Sequence, residues 1–446
     1  MKRKRIFIGM VEIAGYYGNL AFALKKKGYQ VTIAGSSSHI YQYDSDVSDS
    51  PLLVRIYDQL IKSLSVKRTE EKSKLTYLLK RKMTALLAIF MKIALFFWSI
   101  PIHDVYIFGF GISFFPENLD LLFLKLFKKR IICNLAHGSD ARPPYIDGSR
   151  FSDLNHLGQE SESLINLSKT IKNTCLQIEK YADIVIGSPL SCHFLEQPFV
   201  STFYLGVPFK GLPEDVLLDE TKPDLKAHTI RILHCPSNPL VKGTPLIREA
   251  IRSLKAKGYS IEFIELIGQP NSVVLQELNA CDFVVDQVYS DFPMAGFATE
   301  AAWFKKPAIV GGYGWSRLDG LIPNDVLPST HLCHPADIES AIEKLIVDSQ
   351  YRCALGQRAY DFVTSNWHVD AFADRYLKLV NGAVPEKWWA TPGQIPYIQG
   401  CGLSEDSLLE ILKPLLKHSK DVLQLGDKPL LEKAFLDFLN SEVVPK

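Results

Sequence analysis

The second half of the chain carries a lysine and a glutamate in positions where they could bind phosphate and hydroxyl groups. Lys242 follows a predicted strand, and Glu300 lies at the start of a predicted helix preceded by Gly296. A lysine ammonium can stabilise a diphosphate, and a helix N-terminus adds backbone N–H groups. A carboxylate at Glu300 could accept two ribose hydroxyls, or could only complement the helix dipole. The pattern predicts a nucleotide site, with a surface lysine at a turn as the alternative for Lys242.

The first strand-to-helix turn of the chain holds a second set of candidate residues. Gly15 and Gly18 enclose Tyr16 in a Gly-x-x-Gly turn, which is a weak signal because glycine is common at such turns. Glu12 precedes this turn. It could act as a general base or could cap the following helix.

His137 follows a predicted buried strand and is flanked by Gly138. Its side chain could enter a cleft at the carboxyl end of that strand, or could be a hydrogen-bonded core histidine. Asp140 and Arg142 lie close behind it in the sequence. They could orient a substrate or pair with each other, and the sequence favours neither.

Alternating strands and helices must position these residues. The first 35 residues read as strand, glycine turn, helix, glycine stop and strand, which is one βαβ unit and implies a parallel sheet. The pattern continues in both halves, and the last strand of the first half is predicted at residues 202–205. We therefore expect two doubly wound domains facing across a cleft at the carboxyl ends of their strands. The predicted parts are a first domain (1–210) with an insertion (36–103), a linker (211–228), a second domain (229–384) and a helical C-terminal extension (385–446).

The charge of the chain is unevenly distributed. Residues 1–210 carry 27 Lys and Arg against 18 Asp and Glu, whereas the remainder carries 23 against 31. We expect the first half to meet an anionic partner, either a membrane surface or a phosphate-rich substrate. Nothing in it resembles a nucleic-acid-binding module. The eight cysteines have no metal-type or disulfide-type spacing, which favours a reducing cytoplasm.

The insertion combines a basic segment with an apolar one. Eight Lys and Arg lie between residues 62 and 82, and residues 84–101 are mostly apolar with Lys92 in the middle. A membrane-spanning helix needs about 20 apolar residues, so spanning is not expected. We expect a patch that inserts apolar side chains among lipid headgroups while basic residues pair with anionic lipid. The alternative is a buried core helix preceded by a solvated basic helix.

The motifs together resemble those of bacterial GT-B glycosyltransferases of the glycosyltransferase family 4 type. The resemblance rests on the Gly15 to Gly18 loop and on residues 136–142, 234–244, 281–287 and 296–307. It implies that His137 contacts the donor sugar and that neither a metal nor another cofactor is needed. Together with the residue patterns above, the catalytic candidates are His137, Lys242, Glu12 and Asp140, and the acceptor-binding or orienting candidates are Arg142 and Tyr16. The implied donor-binding residues are Gly15, Gly18, Ser237, Lys242, Gly243, Gly296, Phe297, Ala298, Thr299 and Glu300.

Two residues depart from the pattern of that family. Phe292 stands eight positions before Glu300, where the family usually has an acidic residue, and Asp291 is its only neighbouring carboxylate. Pro239 stands where an arginine is often found before the Lys-Gly pair. The retaining outcome that is usual in the family therefore stays open beside an inverting one.

The resemblance implies an enzyme that transfers a sugar from a nucleotide-sugar donor to a glycan acceptor. With the basic and apolar insertion, we expect a membrane-proximal or lipid-linked acceptor in bacterial surface polysaccharide biosynthesis, and a peripheral location at the cytoplasmic face of the membrane. A nucleotide-sugar epimerase of the same fold and an inactive, glycan-binding or partner-binding scaffold are the alternatives.

Overall fold

The structure is a computed structural model. It describes residues 3–35, 50–65, 74–151, 161–212, 229–315, 322–395, 397–417 and 420–440. Most of the predicted linker and part of the basic segment of the insertion, including Lys67, Arg68 and Lys72, lie outside these residues. The described residues form two parallel-sheet α/β domains that face each other across a cleft, which confirms the predicted fold class.

The first domain is built on a seven-stranded sheet in the order β12-β6-β5-β4-β3-β1-β2, in which β12 (Trp389–Ala390) comes from the C-terminal part of the chain. All neighbouring strands are parallel except β12, which pairs antiparallel with β6. The elements of this part of the chain are β1 (Ile6–Ile8), α1 (Tyr16–Lys26), β2 (Val31–Ile33), α2 (Leu52–Ser65), α3 (Lys74–Ile102), β3 (Val105–Gly109), α4 (Asp120–Leu126), β4 (Arg130–Asn134), α5 (Ser161–Tyr181), β5 (Ile184–Gly187) and β6 (Phe199–Ser201).

The last strand of the first domain differs from its prediction. The strand is Phe199–Ser201, and Thr202–Tyr204 forms a single 3-10 turn after it. The apolar run continues through both segments, so its pattern alone does not show where the strand ends. The earlier ending brings Thr202 into the wall of the cleft.

The second domain is a five-stranded parallel sheet in the order β11-β10-β9-β7-β8. Its inner strands β9 and β10 are buried on both faces, as is usual for a parallel sheet covered by helices on each side, whereas the edge strands β8 and β11 are partly exposed. Its elements and the two helices that follow are β7 (Ile230–His234), α6 (Thr244–Ala256), β8 (Ile261–Glu265), α7 (Asn271–Ala280), β9 (Phe283–Gln287), α8 (Gly296–Trp303), β10 (Ala308–Gly311), β11 (His331–Cys333), α9 (Ile338–Val347) and α10 (Ser349–Asn366).

After the second domain the chain returns to the first. Helix α11 (Val369–Asn381) buries Phe372 and Tyr376 against α1 and the first sheet, although the sequence analysis places these residues in the second domain. The short strand β12 (Trp389–Ala390) then extends the first sheet. The C-terminal extension is therefore not wholly helical, and it ends in α12 (Glu405–Leu416) and α13 (Pro429–Asn440).

The two faces of the first sheet are covered by different helices. Strand residues alternate, so that Ile6 and Ile107 pack with α1 and α11, whereas Phe7 and Tyr106 face the other side. That other side is covered by α2, α3, α4 and α5 and by the two helices of the extension. Helices α3 and α4 therefore lie in one layer.

Residues 397–403, which we call the connecting segment, run between the two domains. The backbone N–H of Gly148 in the first domain donates to the Cys401 carbonyl at 2.7 Å, and the N–H of Gly402 donates to the Tyr289 carbonyl of the second domain at 2.9 Å. A Cβ at Gly400 would overlap the Ile146 carbonyl oxygen. The segment can lie this close to the backbone of the first domain only because residue 400 is glycine.

We predict that Gly400→Ala destabilises the protein by about 2 kcal/mol, because the added methyl group forces the connecting segment away from Ile146. Chemical denaturation would measure the free energy of unfolding. Gly393→Ala is the matched control, since a Cβ at Gly393 meets no atom within 4 Å. Equal stability of the two variants would contradict the close packing of the segment.

Candidate functional site

A cavity of about 580 Å³ lies between the carboxyl ends of the two sheets. Both domains form its wall, as expected for crevices at the strand ends of doubly wound sheets. Cys401 of the connecting segment also contributes to the wall. The predicted site residues that line this cleft are Glu12, Gly15, Tyr16, Gly18, His137, Arg142, Lys242, Gly296, Thr299 and Glu300.

Glu12 caps the first turn of α1. Its Oε1 accepts hydrogen bonds from the backbone N–H groups of Ile13 and Tyr17 at 2.8 and 3.1 Å, and its Oε2 accepts from Gly18 at 2.7 Å. Burial raises the pKa of the Glu12 carboxyl, although these N–H groups act in the opposite direction. The positive end of the α1 dipole is thus already occupied by a carboxylate of the chain.

His137 enters the cleft from a cluster of tyrosines. Its Nε2 lies 2.7 Å from the hydroxyl of Tyr17, and its ring meets Tyr16 edge to face at 5.0 Å. The hydroxyl of Tyr16 in turn lies 3.1 Å from that of Tyr376 on α11. Burial lowers the pKa of His137 to about 4, so the imidazole is neutral at physiological pH. A neutral imidazole can bind a sugar hydroxyl without repelling a neighbouring cation.

Arg142 joins the two domains. Its guanidinium pairs with Asp291 of the second domain and lies 3.4 Å from Asp147 of the first. Burial alone would lower the pKa of Arg142, but the charges of Asp291 and Asp147 outweigh it and raise that pKa. Asp291, the only carboxylate beside Phe292, is therefore directed at Arg142.

Asp140 lies behind the wall of the cleft and does not line it. Its Oδ2 accepts a hydrogen bond from the backbone N–H of His137 at 3.3 Å, and burial raises the pKa of its carboxyl to about 7. The sequence left pairing of Asp140 with Arg142 open; in the structure Arg142 pairs with Asp291 and Asp147, although its charge still acts on Asp140.

Lys242 reaches the cleft from the turn after β7. Its Nζ donates to the Oε1 of Gln287 at 2.6 Å and lies 3.6 Å from Asp286. The next residue, Gly243, has φ +71°, and a Cβ there would lie 2.6 Å from the Cβ of Val288. Glycine is required at this position, and it fixes the direction in which Lys242 projects. Ser237, which the resemblance implies as a donor contact, is exposed and lies outside the cavity wall.

The N-terminus of α8 faces the cleft without a side-chain cap. Gly296, Thr299 and Glu300 line the cavity, and the Oε1 of Glu300 accepts a hydrogen bond from Asn271 Nδ2 at 2.9 Å. Ala298 is buried in the domain core and Phe297 packs against it. Any contact of these two residues with a ligand would therefore use their backbone N–H groups.

Several cleft residues were not found by sequence reasoning. Phe292 stacks on Phe203 of the first domain, with ring centroids 5.0 Å apart and planes at 22°. Asn271 orients Glu300, and Gln287 orients Lys242. Cys401 of the C-terminal extension also lines the cleft. Gln287 ends the 281–287 motif, which is the signal that could have found it, and Asn271 begins helix α7 beside the cleft. Across the part of the chain that the structure describes, no group of three or more His, Cys, Asp or Glu could hold a metal ion.

Comparison with known proteins finds similarity in structure alone. No protein-family model matches the chain, and no curated protein is significantly similar to it in sequence. A crystal structure of Anabaena HepE in complex with UDP-glucose is 10% identical, with a TM-score of 0.44, and covers 85% of this chain and 99% of its own. A structure of a Staphylococcus aureus TarM variant with fondaparinux, alpha-GlcNAc-glycerol and UDP is 10% identical, with a TM-score of 0.43, and covers 85% and 100%. A putative UDP-N-acetylglucosamine 2-epimerase from Listeria monocytogenes is 11% identical, with a TM-score of 0.40, and covers 86% and 97%.

We predict that Asp140→Asn removes a pH-dependent part of the stability. The pKa of about 7 in the folded protein is above the ordinary value of 3.8, so folding retains a proton that the unfolded chain releases. This contribution is fully present below about pH 4 and is lost as the pH rises through 7. The free energy of unfolding of the wild type should therefore fall relative to that of the variant, by up to about 1.4 kcal/mol per pH unit over that interval.

Urea denaturation at pH 5, 6, 7 and 8 would measure this difference. Asp374→Asn is the control, because Asp374 is largely exposed and paired with Lys27 at 2.7 Å on the surface. A difference between wild type and Asp140→Asn that stays constant with pH would show that Asp140 has the same pKa in the folded and unfolded chains.

Proposed function

We propose that the protein is a glycosyltransferase that moves a sugar from a nucleotide-sugar donor to a glycan acceptor. The observation that carries this proposal is the cleft, in which Lys242, Glu300 and the open N-terminus of α8 face His137 and Arg142 of the other domain. Its volume of about 580 Å³ is in the range of small-molecule sites. The two walls have different chemistry, which suits a reaction between two substrates.

The second domain is suited to the diphosphate of the donor. The uncapped N-terminus of α8 presents backbone N–H groups and the positive end of the helix dipole. Lys242 adds a point charge on the same wall. Together they would stabilise the negative charge that develops as the nucleoside diphosphate leaves.

Glu300 is suited to the ribose. Asn271 donates to its Oε1, which fixes the orientation of the carboxylate at the cleft wall. The same carboxylate retains acceptor capacity, because each of its oxygens has two lone-pair directions. It can accept hydrogen bonds from the two ribose hydroxyls one turn away from the diphosphate site.

The first domain is suited to sugar hydroxyls. Ser188, Ser191 and Thr202 line its wall together with the neutral His137 and the Arg142 guanidinium. Hydroxyl and imidazole groups both donate and accept hydrogen bonds, as sugar hydroxyls do. We assign the acceptor and the transferred sugar to this side.

We further propose that the reaction retains the configuration of the anomeric carbon. Both oxygens of Glu12 accept hydrogen bonds from the backbone, and Asp140 lies behind the cleft wall, which supports neither carboxylate as the base. The leaving diphosphate can itself take the proton of the acceptor hydroxyl on the same face. Lys242 and the N-terminus of α8 then stabilise the diphosphate as the sugar–phosphate bond breaks.

We also propose membership of glycosyltransferase family 4, which the motif resemblance supports, and a place in bacterial surface polysaccharide assembly at the cytoplasmic face of the membrane, which the basic and apolar insertion supports. A thermal-shift screen of UDP, GDP, ADP and dTDP, followed by mass spectrometry of the matching nucleotide sugars with and without oligosaccharide acceptors, tests the function. Glycan products that form only with an acceptor support it. Isomerisation of the free nucleotide sugar would instead indicate an epimerase, and nucleotide binding without turnover a scaffold.

We predict that Glu300→Gln weakens binding of the nucleoside diphosphate by about tenfold and leaves the fold intact, because a charged acceptor forms stronger hydrogen bonds than a neutral amide. Isothermal titration calorimetry would measure the dissociation constant. Glu262→Gln is the control, since Glu262 is an exposed residue of β8 outside the cleft. Unchanged affinity in Glu300→Gln would remove this residue from the ribose site.

A further inference from the structure

Helix α3 presents an apolar stripe to solvent. Its exposed residues include Met83 (70% exposed), Phe90 (60%) and Phe97 (63%). With Leu86, Leu87 and Ile93 they follow the spacing of one helix face, and the stripe is about 21 Å long at 1.5 Å per residue. Among the residues that the structure describes, this helix is also long and apolar enough, by length and composition only, to cross a membrane.

The opposite side of α3 is packed on the first domain. Leu95, Phe96 and Ser99 are buried there. Lys92 lies on the same side, four residues after the buried Ala88 and three before Leu95, and it is half-buried where it feels the charge of Asp120. The one charged residue in the middle of the apolar run thus does not interrupt the exposed stripe.

Helix α4 and its flanking residues carry a second exposed stripe. Leu119, Leu122, Phe123, Leu126 and Phe127 follow the i, i+3, i+4, i+7 and i+8 spacing, and all are exposed. Leu121 and Leu124, between them, are buried against the sheet. The helix is therefore amphipathic with a large apolar side turned outward.

The two stripes form one surface. Helices α3 and α4 cover the same side of the first sheet, and Phe96 of α3 contacts Phe114 and Phe115 before α4, with ring centroids 5.3 and 5.0 Å apart. Their outward sides face the same direction. We call this surface the outer apolar face: Met83, Leu86, Leu87, Phe90, Ile93, Phe97, Leu119, Leu122, Phe123, Leu126 and Phe127.

The charges around the outer apolar face are mainly basic, and exposed Glu117, two residues before Leu119, is the acidic exception. Helix α3 contains no Asp or Glu, and the one acidic residue of α4, Asp120, is buried. Lys80, Arg81 and Lys82 are exposed at one end of the surface, and Lys128 is exposed at the other. A large apolar patch on a protein surface marks an interaction site, and a basic border selects an anionic partner.

We propose that the outer apolar face seats the protein on an anionic lipid bilayer, with the side chains of both helices among the headgroups and acyl chains and the basic border on the lipid phosphates. Because the C-terminal half of α3 is packed on the first domain through Leu95, Phe96 and Ile100, the helix lies along the bilayer surface and does not cross it. The contact uses α4 as well as the predicted apolar segment.

This seating places the cleft beside the bilayer. Helix α3 is about 43 Å long and turns within two residues into β3, which spans about 17 Å. The helix therefore runs antiparallel to the strand and extends past the carboxyl edge of the sheet, where the cleft opens. Lys80, Arg81 and Lys82 lie at that end. Resting on the proposed transferase function, we infer that the acceptor glycan is linked to a lipid in the same bilayer.

The test is co-sedimentation of the full chain with vesicles of phosphatidylcholine alone or mixed with phosphatidylglycerol. The wild type should pellet with the anionic vesicles at low salt and much less in 0.5 M NaCl. At that salt concentration the Debye length is shorter than about 10 Å, so the attraction between basic side chains and lipid phosphates is screened. Phe90→Ser with Phe97→Ser, and separately Phe123→Ser with Phe127→Ser, should each reduce the bound fraction by at least about tenfold. Val347→Ser with Leu430→Ser, which changes exposed apolar residues outside the face, should pellet like the wild type.

Three results would overturn the proposal. They are a wild type that stays in the supernatant, α4 variants that bind as well as the wild type, and protein that remains with vesicles after alkaline carbonate washing, as a spanning helix would. The assay contains no nucleotide, so a negative result would overturn the proposed membrane binding without testing the proposed transferase activity. The acceptor is tested by turnover on lipid-linked against soluble glycan, where a preference for the soluble form in vesicle-bound enzyme would overturn the lipid linkage.

Discussion

The buried ion pair between Arg142 and Asp291 is the interaction on which the cleft depends. It joins the two domains where nearly all water is excluded, with both side chains less than one-tenth exposed. Loss of one partner of such a pair leaves an uncompensated buried charge, at a cost of about 3–5 kcal/mol. Asp147 lies beside the pair, and the connecting segment packs behind it through Cys401 and Gly402. The position of His137 opposite Lys242 follows from this closed arrangement.

The two helix N-termini at the cleft explain why its walls differ. Glu12 already occupies the positive end of α1, so an incoming phosphate would meet a carboxylate there. The N-terminus of α8 has no side-chain cap, and Lys242 lies on the same wall. The diphosphate is therefore attracted to the second domain, and the first domain is left for sugar hydroxyls. This division follows from electrostatics, independently of the stacked Phe203 and Phe292.

Local sequence patterns were sufficient to predict the features that depend on residues close together in the sequence, namely the strands, the helices and the residues at the strand ends. The alternation of strands and helices gave both parallel sheets, and the residues at strand ends, such as His137 and Lys242, reach one cleft because carboxyl ends of parallel strands share an edge. The pairing of Arg142 with Asp291 joins residues 149 positions apart, and the return of α11 and β12 to the first sheet spans a still greater distance in sequence. Composition also did not show that Lys92 faces inward, because that depends on the rotation of α3 against the sheet.

Hydrogen–deuterium exchange of the wild type and Asp291→Ala tests most directly whether this pair holds both halves of the cleft. Exchange should be faster in two peptides on opposite domains, one covering residues 139–148 and one covering residues 287–295, because each loop loses its partner across the cleft. Exchange in β8 (Ile261–Glu265), which lies at the far edge of the second sheet, should stay unchanged. Faster exchange confined to the peptide that carries the substitution would show that the two domains are held together without the pair.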